Sequence, residues 1–322
     1  MAQTLEDLRG QVESTQDLAS ITRAMKALAA VRIRQSREAV DSLRAYASAV
    51  ERGFQILFTR ERVPSGGEGG APLAVVLGSD LGMVGRFNRK VANQAEERLE
   101  EEGSGEGRRP LVLTVGERVA SEMAGRGWEM ESRFGMPDTV EGMTPRVQDL
   151  LVALEELRAR EDPSRILLVY NEYRSGADYA PTALQVLPLD QGWVAELGRR
   201  SWPGRVLPGF NIPSGELFSR LLREHLFLSL FRAMAESHAS ENASRLASME
   251  AAEKRIRERL DDLKGRLNQQ RKQQMTEELL DIMAGAAALE DEEEEEEERE
   301  EEAAERGQAA GLGGEARSGG GP

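Results

Sequence analysis

The sequence predicts a protein of mixed α-β class, in which long N- and C-terminal helices form an antiparallel coiled coil with an inserted α/β (Rossmann-like) domain. Apolar residues recur every three or four positions towards both ends of the chain, which is the spacing of one helix face. Between those ends, short apolar runs alternate with helical patterns. The chain finishes in a glutamate-rich C-terminal tail that we expect to be disordered. The expected divisions are residues 1–62, 71–212, 213–289 and 290–322.

The N-terminal helix is predicted from Leu5 to about Leu57, because one seam of residues at helical spacing runs along it. The seam residues are Leu5, Leu8, Val12, Thr15, Ala19, Thr22, Lys26, Ala29, Ile33, Ser36, Val40, Leu43, Ala47, Val50, Phe54 and Leu57. In its middle the seam is small or polar, and larger apolar residues form a second stripe. The stripe residues are Leu18, Ile21, Met25 and Leu28. Either this stripe faces outward and needs a surrounding partner, or it belongs to one wide apolar face of the helix.

The middle of the chain has the pattern of a compact α/β domain, and it begins after a glycine- and proline-rich break at Val63–Pro72. The predicted strands are Leu73–Leu77, Leu111–Val115, Ile166–Tyr170 and Thr182–Leu189, and the predicted helices are Asn88–Glu102, Glu117–Arg126 and Pro145–Arg160. Strands that alternate with helices are typical of a parallel sheet. We therefore expect a parallel sheet between the two long helices.

The C-terminal helix is predicted from Gly215 to Leu289, and it also carries a seam. Its clearest seam residues are Leu246, Met249, Glu253, Ile256, Leu260, Leu263, Leu267 and Gln270. Because the compact domain separates the two helices in the chain, it acts as the turn between them, and their pairing is antiparallel. The last turns, around Leu279 and Ile282, are apolar on much of their circumference and need an enclosure. The polar stretch before them, 268–274, also fits an ordinary solvated face.

Composition argues against several classes of protein. The net charge is −15, and residues 290–322 carry −11 of it (fourteen acids and three arginines), which leaves −4 for the rest. A basic nucleic-acid-binding domain therefore has little support. The chain has no cysteine, which excludes disulfides and thiolate sites. It has no apolar stretch of membrane-spanning length and no apolar run near Met1, so we expect neither a transmembrane helix nor a signal peptide.

A glycine-rich turn follows the first predicted strand, with glycines at Gly78, Gly82 and Gly85. A strand, such a turn and a helix together resemble a dinucleotide-binding fingerprint. The spacing here is G-x-x-x-G-x-x-G rather than G-x-G-x-x-G, and Asp80 inside the turn opposes a pyrophosphate. Nucleotide binding is therefore the less favoured hypothesis, and no cofactor is expected.

Neither histidine of the chain marks a metal site. His225 and His238 are thirteen residues apart, so they do not form the pair of ligands that neighbouring turns of one helix face provide. We expect them to be seam or surface residues. No grouping of serine, histidine and aspartate stands out as a catalytic cluster, so neither a metal site nor a catalytic site is expected.

Three stretches, in order along the chain, resemble the signatures of F-type ATP synthase gamma subunits. The first is LEDLR (Leu5–Arg9) with SITRAMKALAA (Ser20–Ala30). The second is the turn GSDLGMVGRFN (Gly78–Asn88). The third is Met249 with Ala251 and Ala252, followed by the stretch from Asn268 to the AGAAAL that ends at Leu289. The family layout covers residues 3–289. The acidic tail and the divergent middle also resemble the alternate F-type ATPases of some bacteria and archaea.

The resemblance implies a non-catalytic rotor, the central stalk that couples ion flow through a membrane sector to ATP synthesis or hydrolysis. The implied partners are the alpha and beta subunits of the catalytic hexamer, the epsilon subunit and the c-ring, with no nucleic acid and no small-molecule ligand. The implied location is the cytoplasmic face of the cell membrane, as a peripheral protein. A coiled-coil scaffold or an acidic-tailed chaperone is the alternative, and it explains the helices and the tail but not the α/β domain between them.

The resemblance also implies a set of subunit contacts. The residues that match such positions of the family are Arg9, Met25, Arg245, Arg271, Thr276 and Glu278. Met25 matches a shaft methionine near the beta-subunit lever, and the last four match polar positions where the C-terminal helix meets the catalytic subunits. Lys272 and Glu277 depart from the family pattern, in which glutamine is common, so the charge of this patch differs from that of the family.

Overall fold

The computed structural model describes residues 4–60, 70–103, 109–202, 204–206 and 208–312. The chain forms two compact units, one made of Met1–Leu18 with Ile256–Pro322 and the other of Ala19–Arg255. Most of the predicted break at Val63–Pro72 lies outside the described residues.

The helices and strands follow the predicted order. The helices are α1 (Leu5–Ser42), α2 (Arg44–Arg60), α3 (Phe87–Gly103), α4 (Glu117–Ala124), α5 (Met143–Glu161), α6 (Gln191–Arg199) and α7 (Ser214–Leu312). The strands are β1 (Leu73–Leu77), β2 (Leu111–Val115), β3 (Ser132–Phe134), β4 (Ile166–Ser175) and β5 (Asp178–Leu187), and a short 3-10 turn lies at Val140–Gly142. The strands β1 and β2 have the predicted bounds, whereas β3 and α6 were not predicted because both are short and β3 has no apolar run.

The N-terminal helix is divided where the sequence predicts continuity. α1 ends at Ser42 and α2 begins at Arg44, so the division falls at Leu43. The amide of Leu43 donates to the carbonyl of Val40, three residues back, and a bond of that kind tightens the turn. The seam spacing continues through Leu43 unchanged, and for that reason the sequence pattern carries no sign of the division.

The sheet has the strand order β3-β2-β1-β4-β5. β1 is parallel to both β2 and β4, and β2 is parallel to β3, which confirms the parallel pairing predicted there. The parallel pattern does not extend to β5, which is antiparallel to β4. Gly176, with a φ of 56°, reverses the chain between Ser175 and Asp178, and a connection this short can join only antiparallel strands.

The sheet is covered by helices on both faces. Leu73, Val75 and Leu77 of β1 pack in one apolar cluster with side chains of α5 and α7. Ala74 and Val76, on the opposite face, pack with side chains of α3 and α4. Successive strand residues point to opposite faces, so this central strand, buried along its whole length, contributes to both clusters.

The two long helices run in opposite directions within the unit Ala19–Arg255. Lys26 contacts Glu253, Ser36 contacts His238, and further along Tyr46 of α2 contacts Glu224. The partner positions on α7 fall as the positions on α1 and α2 rise. The antiparallel direction expected from chain order is confirmed there.

Burial confirms both predicted seams. Every predicted seam residue of α1 and α2 is buried or half-buried, from Leu5 to Leu57, and so is every predicted seam residue of α7, from Leu246 to Gln270. Leu8 and Leu263, in the smaller unit, are almost completely buried, as is Ala29 in the larger one. The three-and-four spacing therefore identifies the packed face of each helix.

The expectation of disorder from residue 290 onward is wrong for residues 290–312, which continue α7 as far as Leu312. Mutual repulsion of the glutamates favours disorder, but glutamate and alanine have high helix propensity. The segment also extends a helix that already exists, so it avoids the unfavourable nucleation step. The part of the tail expected at 313–322 lies outside the described residues.

Candidate functional site

Two polar residues of the predicted seams meet across the helices. The Lys26 ammonium of α1 donates to the Glu253 carboxylate of α7 at 2.7 Å, and both side chains are partly buried. On either side of Lys26, the small seam residues Thr22 and Ala29 are buried. Small residues at the contact let helices approach closely, and a polar pair in a seam fixes their register. The sequence identifies both residues as polar seam positions but not as partners.

The second apolar stripe of α1 faces outward. In the larger unit, Ile21 is 56% exposed and Leu28 is 50% exposed, and Met25 is half-buried. Leu18, in the smaller unit, is also exposed. These exposures support the outward stripe over the alternative of one wide face packed within the chain.

A run of polar residues on α7 is buried where that helix packs against α1 and the sheet. The run contains Ser237, His238, Ser240, Glu241, Asn242, Ser244 and Arg245. Ser36 of α1 shares a hydrogen bond with Nδ1 of His238 at 2.8 Å, and Asn242 donates to the His238 carbonyl at 2.8 Å. Burial is the main reason that the pKa of His238 falls to about 4, and the charges of Arg32 and Arg245 lower it further. His238 is thus a neutral seam residue at pH 7.

Arg245 lies in the interior of its own chain and is only 5% exposed. Its guanidinium donates to Glu241 at 2.6 Å and to Asn242 at 3.3 Å. Burial raises the pKa of Glu241 to about 6, although Arg245 pulls it in the opposite direction. Arg245, which the resemblance implies as a subunit contact, is therefore held by neighbouring residues of α7 itself.

The other polar candidates lie on exposed helix surface in the smaller unit. Arg9 of α1 is exposed, as are Arg271, Thr276 and Glu278 of α7. The Thr276 hydroxyl donates to the Lys272 carbonyl at 2.9 Å, which is a bond within the helix. Glu278 accepts from Gln274 at 3.0 Å, one helical turn back. These side chains are free to meet another molecule.

The same part of α7 exposes large apolar side chains, which we call the apolar tip. Its residues are Met275, Leu279, Leu280, Ile282 and Met283, and each is 58–69% exposed. At 3.6 residues per turn they lie on about half of the helix circumference, within the apolar region that the sequence predicts. Exposed apolar residues grouped in this way mark a surface that another protein covers.

The glycine turn between β1 and α3 is held together by its own polar side chains. The Asp80 carboxylate accepts the backbone N–H of Glu117 at the start of α4 (2.9 Å) and that of Met136 (3.0 Å). Asp80 thereby occupies the position at the α4 N-terminus that an anionic ligand would take. Asp80, whose negative charge disfavours pyrophosphate binding, therefore has a structural role in the turn.

Gly78 begins this turn at a point of very close packing. A Cβ atom added to Gly78 would lie 2.3 Å from Cβ of Val119, so only glycine fits there. Asn88 at the other end of the turn accepts the N–H of Ser79 at 2.9 Å and donates to its hydroxyl at 2.8 Å. The glycine and the asparagine of the turn are thus explained by packing and hydrogen bonding.

The turn and the neighbouring sheet edge are bonded to α7. The Ser244 hydroxyl donates to the Val84 carbonyl in the turn at 2.6 Å. The Ser240 hydroxyl donates to the Asn171 carbonyl of β4 at 2.8 Å, and the Asn171 side chain donates to the Phe87 carbonyl at 3.2 Å. Three buried bonds therefore connect α7, β4 and the glycine turn into one rigid junction.

Neither histidine belongs to a metal-ligand cluster in the part of the chain that the structure describes, where no group of three His, Cys, Asp or Glu side chains is arranged to hold a metal ion. His225 packs among the rings of Phe54 and Trp193, and burial lowers its pKa. Both histidines are therefore parts of the packed interior of the larger unit.

Long terminal helices on either side of an α/β sheet in the chain, with apolar surface left uncovered on the helices, indicate a subunit of a larger assembly. The sequence pattern of the family described as ATP synthase matches residues 4–289. This chain therefore belongs to the ATP synthase family. A relative from Granulibacter bethesdensis, the ATP synthase gamma chain, is 29% identical over 300 residues, which cover 88% of this chain and 98% of the relative.

Solved structures have the same fold. One chain, from the Euglena gracilis mitochondrial ATP synthase described as OSCP/F1/c-ring, matches with a TM-score of 0.58 and 16% identity, and covers 88% of this chain and 94% of its own length. A second, from the rotor of that enzyme, matches with a TM-score of 0.56 and 19% identity, and covers 84% of this chain and 98% of its own length. At these identities the likeness concerns the fold.

Proposed function

We propose that this chain is the rotor of an F-type ATP synthase, the central-stalk subunit that couples ion flow through a membrane sector to ATP synthesis or hydrolysis. Membership of the family supports this, together with the relative named as a gamma chain and the solved chain described as part of a rotor. The observation in this structure that carries the proposal is the uncovered apolar surface on the long helices.

The apolar tip of α7 is suited to enclosure by other subunits. Each of its large side chains is more than half exposed, and burying such a side chain stabilises a complex by about 1.5–3 kcal/mol. We assign the alpha and beta subunits of the catalytic hexamer as the enclosing partners. The epsilon subunit and the c-ring then bind the α/β body, residues 71–212.

The coupling is mechanical and needs no catalytic site in this chain. A rotor that contacts each catalytic site differently in each orientation changes the relative free energies of the open and closed states of that site. Torque passes between α7 and the α/β body through the buried bonds of Ser240, Ser244 and Asn171. The terminal helices, as an antiparallel coiled coil, carry it to the catalytic subunits.

The candidate contacts divide into two groups by burial. Arg9, Met25, Arg271, Thr276 and Glu278 have exposed or half-buried side chains, and we assign them to direct contact with other subunits. Arg245 is buried with Glu241, so its contribution is to position α7 rather than to touch a partner.

We place the chain at the cytoplasmic face of the cell membrane, as a peripheral protein held there by its partner subunits. Over the described ranges, no helix combines the length and the apolar character needed to cross a bilayer. Attachment through the c-ring is consistent with that finding.

The decisive experiment is co-purification. The tagged chain is co-expressed with the alpha and beta subunits encoded in the same genome, and the eluate is tested for subunit stoichiometry and for ATP hydrolysis. We expect a complex with three alpha, three beta and one rotor chain, whose hydrolysis requires all three components. A chain that elutes alone and soluble would refute the rotor and leave the coiled-coil scaffold.

A further inference from the structure

A basic cleft lies beside the glycine turn, at the edge of the sheet where the parallel strands β1 and β2 end. It has a volume of about 660 Å³ and lies between the turn, α3 and α4. In sheets of this kind, ligands bind outside the carboxyl ends of the parallel strands. The cleft lies at that end of the sheet, although the reversal of strand order, where such sheets bind ligands, falls between β1 and β4.

Three arginines from three different elements line this cleft without an acidic partner. Arg86 belongs to the glycine turn, Arg89 to α3 and Arg118 to α4. All three are exposed, and within the described ranges none of them makes an ion pair or a side-chain hydrogen bond. Positive charge that the chain leaves uncompensated here contrasts with its net charge of −15.

The acids near the cleft are already engaged. Glu122, which lines it, pairs with Arg126 at 3.8 Å, and Arg126 also pairs with Glu96 at 2.7 Å. Asp80 of the glycine turn is not part of the lining. Its carboxylate accepts two backbone N–H groups and makes no ion pair with the three arginines in the described residues.

The turn is shaped so that an anion can approach it closely. Gly82 and Gly85 line the cleft with no side chain, and a Cβ on Gly82 would lie 3.7 Å from Nη2 of Arg118. The guanidinium of Arg118 therefore reaches across from α4 to the turn. Arginine forks recognise phosphate oxygens in pairs, with hydrogen bonds stronger than neutral ones.

We propose that this cleft binds an oligophosphate, a chain of two or more linked phosphate groups. Guanidinium groups on three separate elements around one concave volume suit several linked anionic groups better than a single one. The lining contains no aromatic ring on which a nucleobase would stack, so the site recognises the phosphate chain and not a nucleoside. An acidic protein segment is the competing occupant, but the arginines surround a cavity rather than form the flat row that such a segment needs.

The test is calorimetric titration of the purified full chain at low and at physiological salt. The probes are inorganic triphosphate, pyrophosphate, orthophosphate and ATP, with a glutamate-rich peptide as the competing occupant. We expect saturable binding of triphosphate, about tenfold tighter than that of orthophosphate, because each additional charge-assisted contact is worth about 1.5 kcal/mol. ATP should bind within about threefold of triphosphate, since the nucleoside adds no contact.

Two double variants with the same change in charge separate the cleft from the general charge of the chain. Arg89→Gln with Arg118→Gln should weaken triphosphate binding by at least about tenfold. Arg133→Gln with Arg158→Gln removes two exposed arginines outside the cleft and should leave the binding unchanged. Equal losses in the two variants, no saturable binding of triphosphate, binding of the peptide alone, or much tighter binding of ATP than of triphosphate would each overturn the proposal.

Discussion

Two stretches of α7 reverse the usual relation between polarity and burial, in opposite ways. Residues 237–245 are largely polar and are almost completely buried, whereas the apolar tip at 275–283 is largely exposed. In the first stretch most of the polar side chains have partners: Glu241 with Arg245, Ser240 with Asn171, and Ser36 with His238. In the second, the apolar side chains have no cover within the described part of the chain.

The difference shows which of the two stretches is already packed within the chain and which still lacks a partner. Buried polar groups are tolerated when hydrogen bonds replace those to water, and residues 237–245 meet this condition except at the Ser237 hydroxyl. Exposed large apolar groups retain an unfavourable contact with water, so the tip still has binding free energy to gain. Substitutions in the first stretch should lower the stability of the chain, and substitutions in the second should change its assembly.

The largest effect is expected from Glu241→Ala in the buried ion pair. It leaves the Arg245 guanidinium buried without its carboxylate, which should lower the free energy of unfolding by about 3–5 kcal/mol. Urea-induced unfolding of the purified chain measures this.

The matched control for that variant is Glu258→Ala, at an exposed position of the same helix. It should change the free energy of unfolding by less than about 0.5 kcal/mol. Similar values for the two variants would mean that residues 237–245 are not the packed interior described above.

A pH effect of somewhat smaller size is expected from His238. Its pKa is about 4 in the folded chain and near 6.5 when unfolded, so the unfolded chain binds the extra proton between those values. The stabilisation is complete above pH 6.5 and is lost as the pH falls towards 4, by about 3 kcal/mol at 1.36 kcal/mol per pKa unit. Unfolding measured at pH 7 and at pH 4 detects it.

The contribution of His238 is isolated by subtracting the same measurement on His238→Gln. Glu241, whose pKa is raised to about 6, works in the opposite sense, because the folded chain binds its proton more tightly than the unfolded one. Arg32 and Arg245 also face His238, but their charge is the same at both pH values. An identical pH dependence in wild type and variant would show that His238 is not held neutral by burial.

Ser240→Ala should have a smaller effect. It removes the hydrogen bond to the Asn171 carbonyl that ties α7 to the sheet, and the loss of a buried bond of this kind costs about 1 kcal/mol. Ser219→Ala is the comparison, because the Ser219 hydroxyl is exposed and bonds only within its own helix. Thermal unfolding should show a larger decrease in Tm for Ser240→Ala than for Ser219→Ala. An equal decrease in Tm would argue against the rigid junction.

The smallest effect on stability is expected at the apolar tip. Leu279→Ser with Ile282→Ser should change the free energy of unfolding by less than about 0.5 kcal/mol, since neither side chain is packed. Recovery of the alpha and beta subunits with the tagged double variant should nevertheless fall.

Leu263→Ser provides the contrast within the same unit, because Leu263 is almost completely buried. It should cost about 2–5 kcal/mol of stability. Normal recovery of the partner subunits with the tip variant would contradict the assignment of the tip as an enclosed surface.

The sequence by itself determined the features that depend on local periodicity. The seams of the long helices follow from residues three and four apart, because residues at that spacing lie on one face of a helix. β1 and β2 follow from short, mostly apolar runs that glycines follow. The apolar region around Leu279 was also predicted, whereas the sequence left open whether the stripe on α1 faces outward, and only its exposure in the folded chain decided that.

Only the tertiary structure decided which residues far apart in sequence become partners. The pairing of Lys26 with Glu253, and of Ser36 with His238, depends on the register of two helices more than two hundred positions apart in the chain. The interior position of Arg245 depends on which elements pack around α7, and the spacing of residues along one helix does not predict those elements. The same holds for the three arginines of the basic cleft, because elements separated in the sequence bring them together only once the sheet has formed.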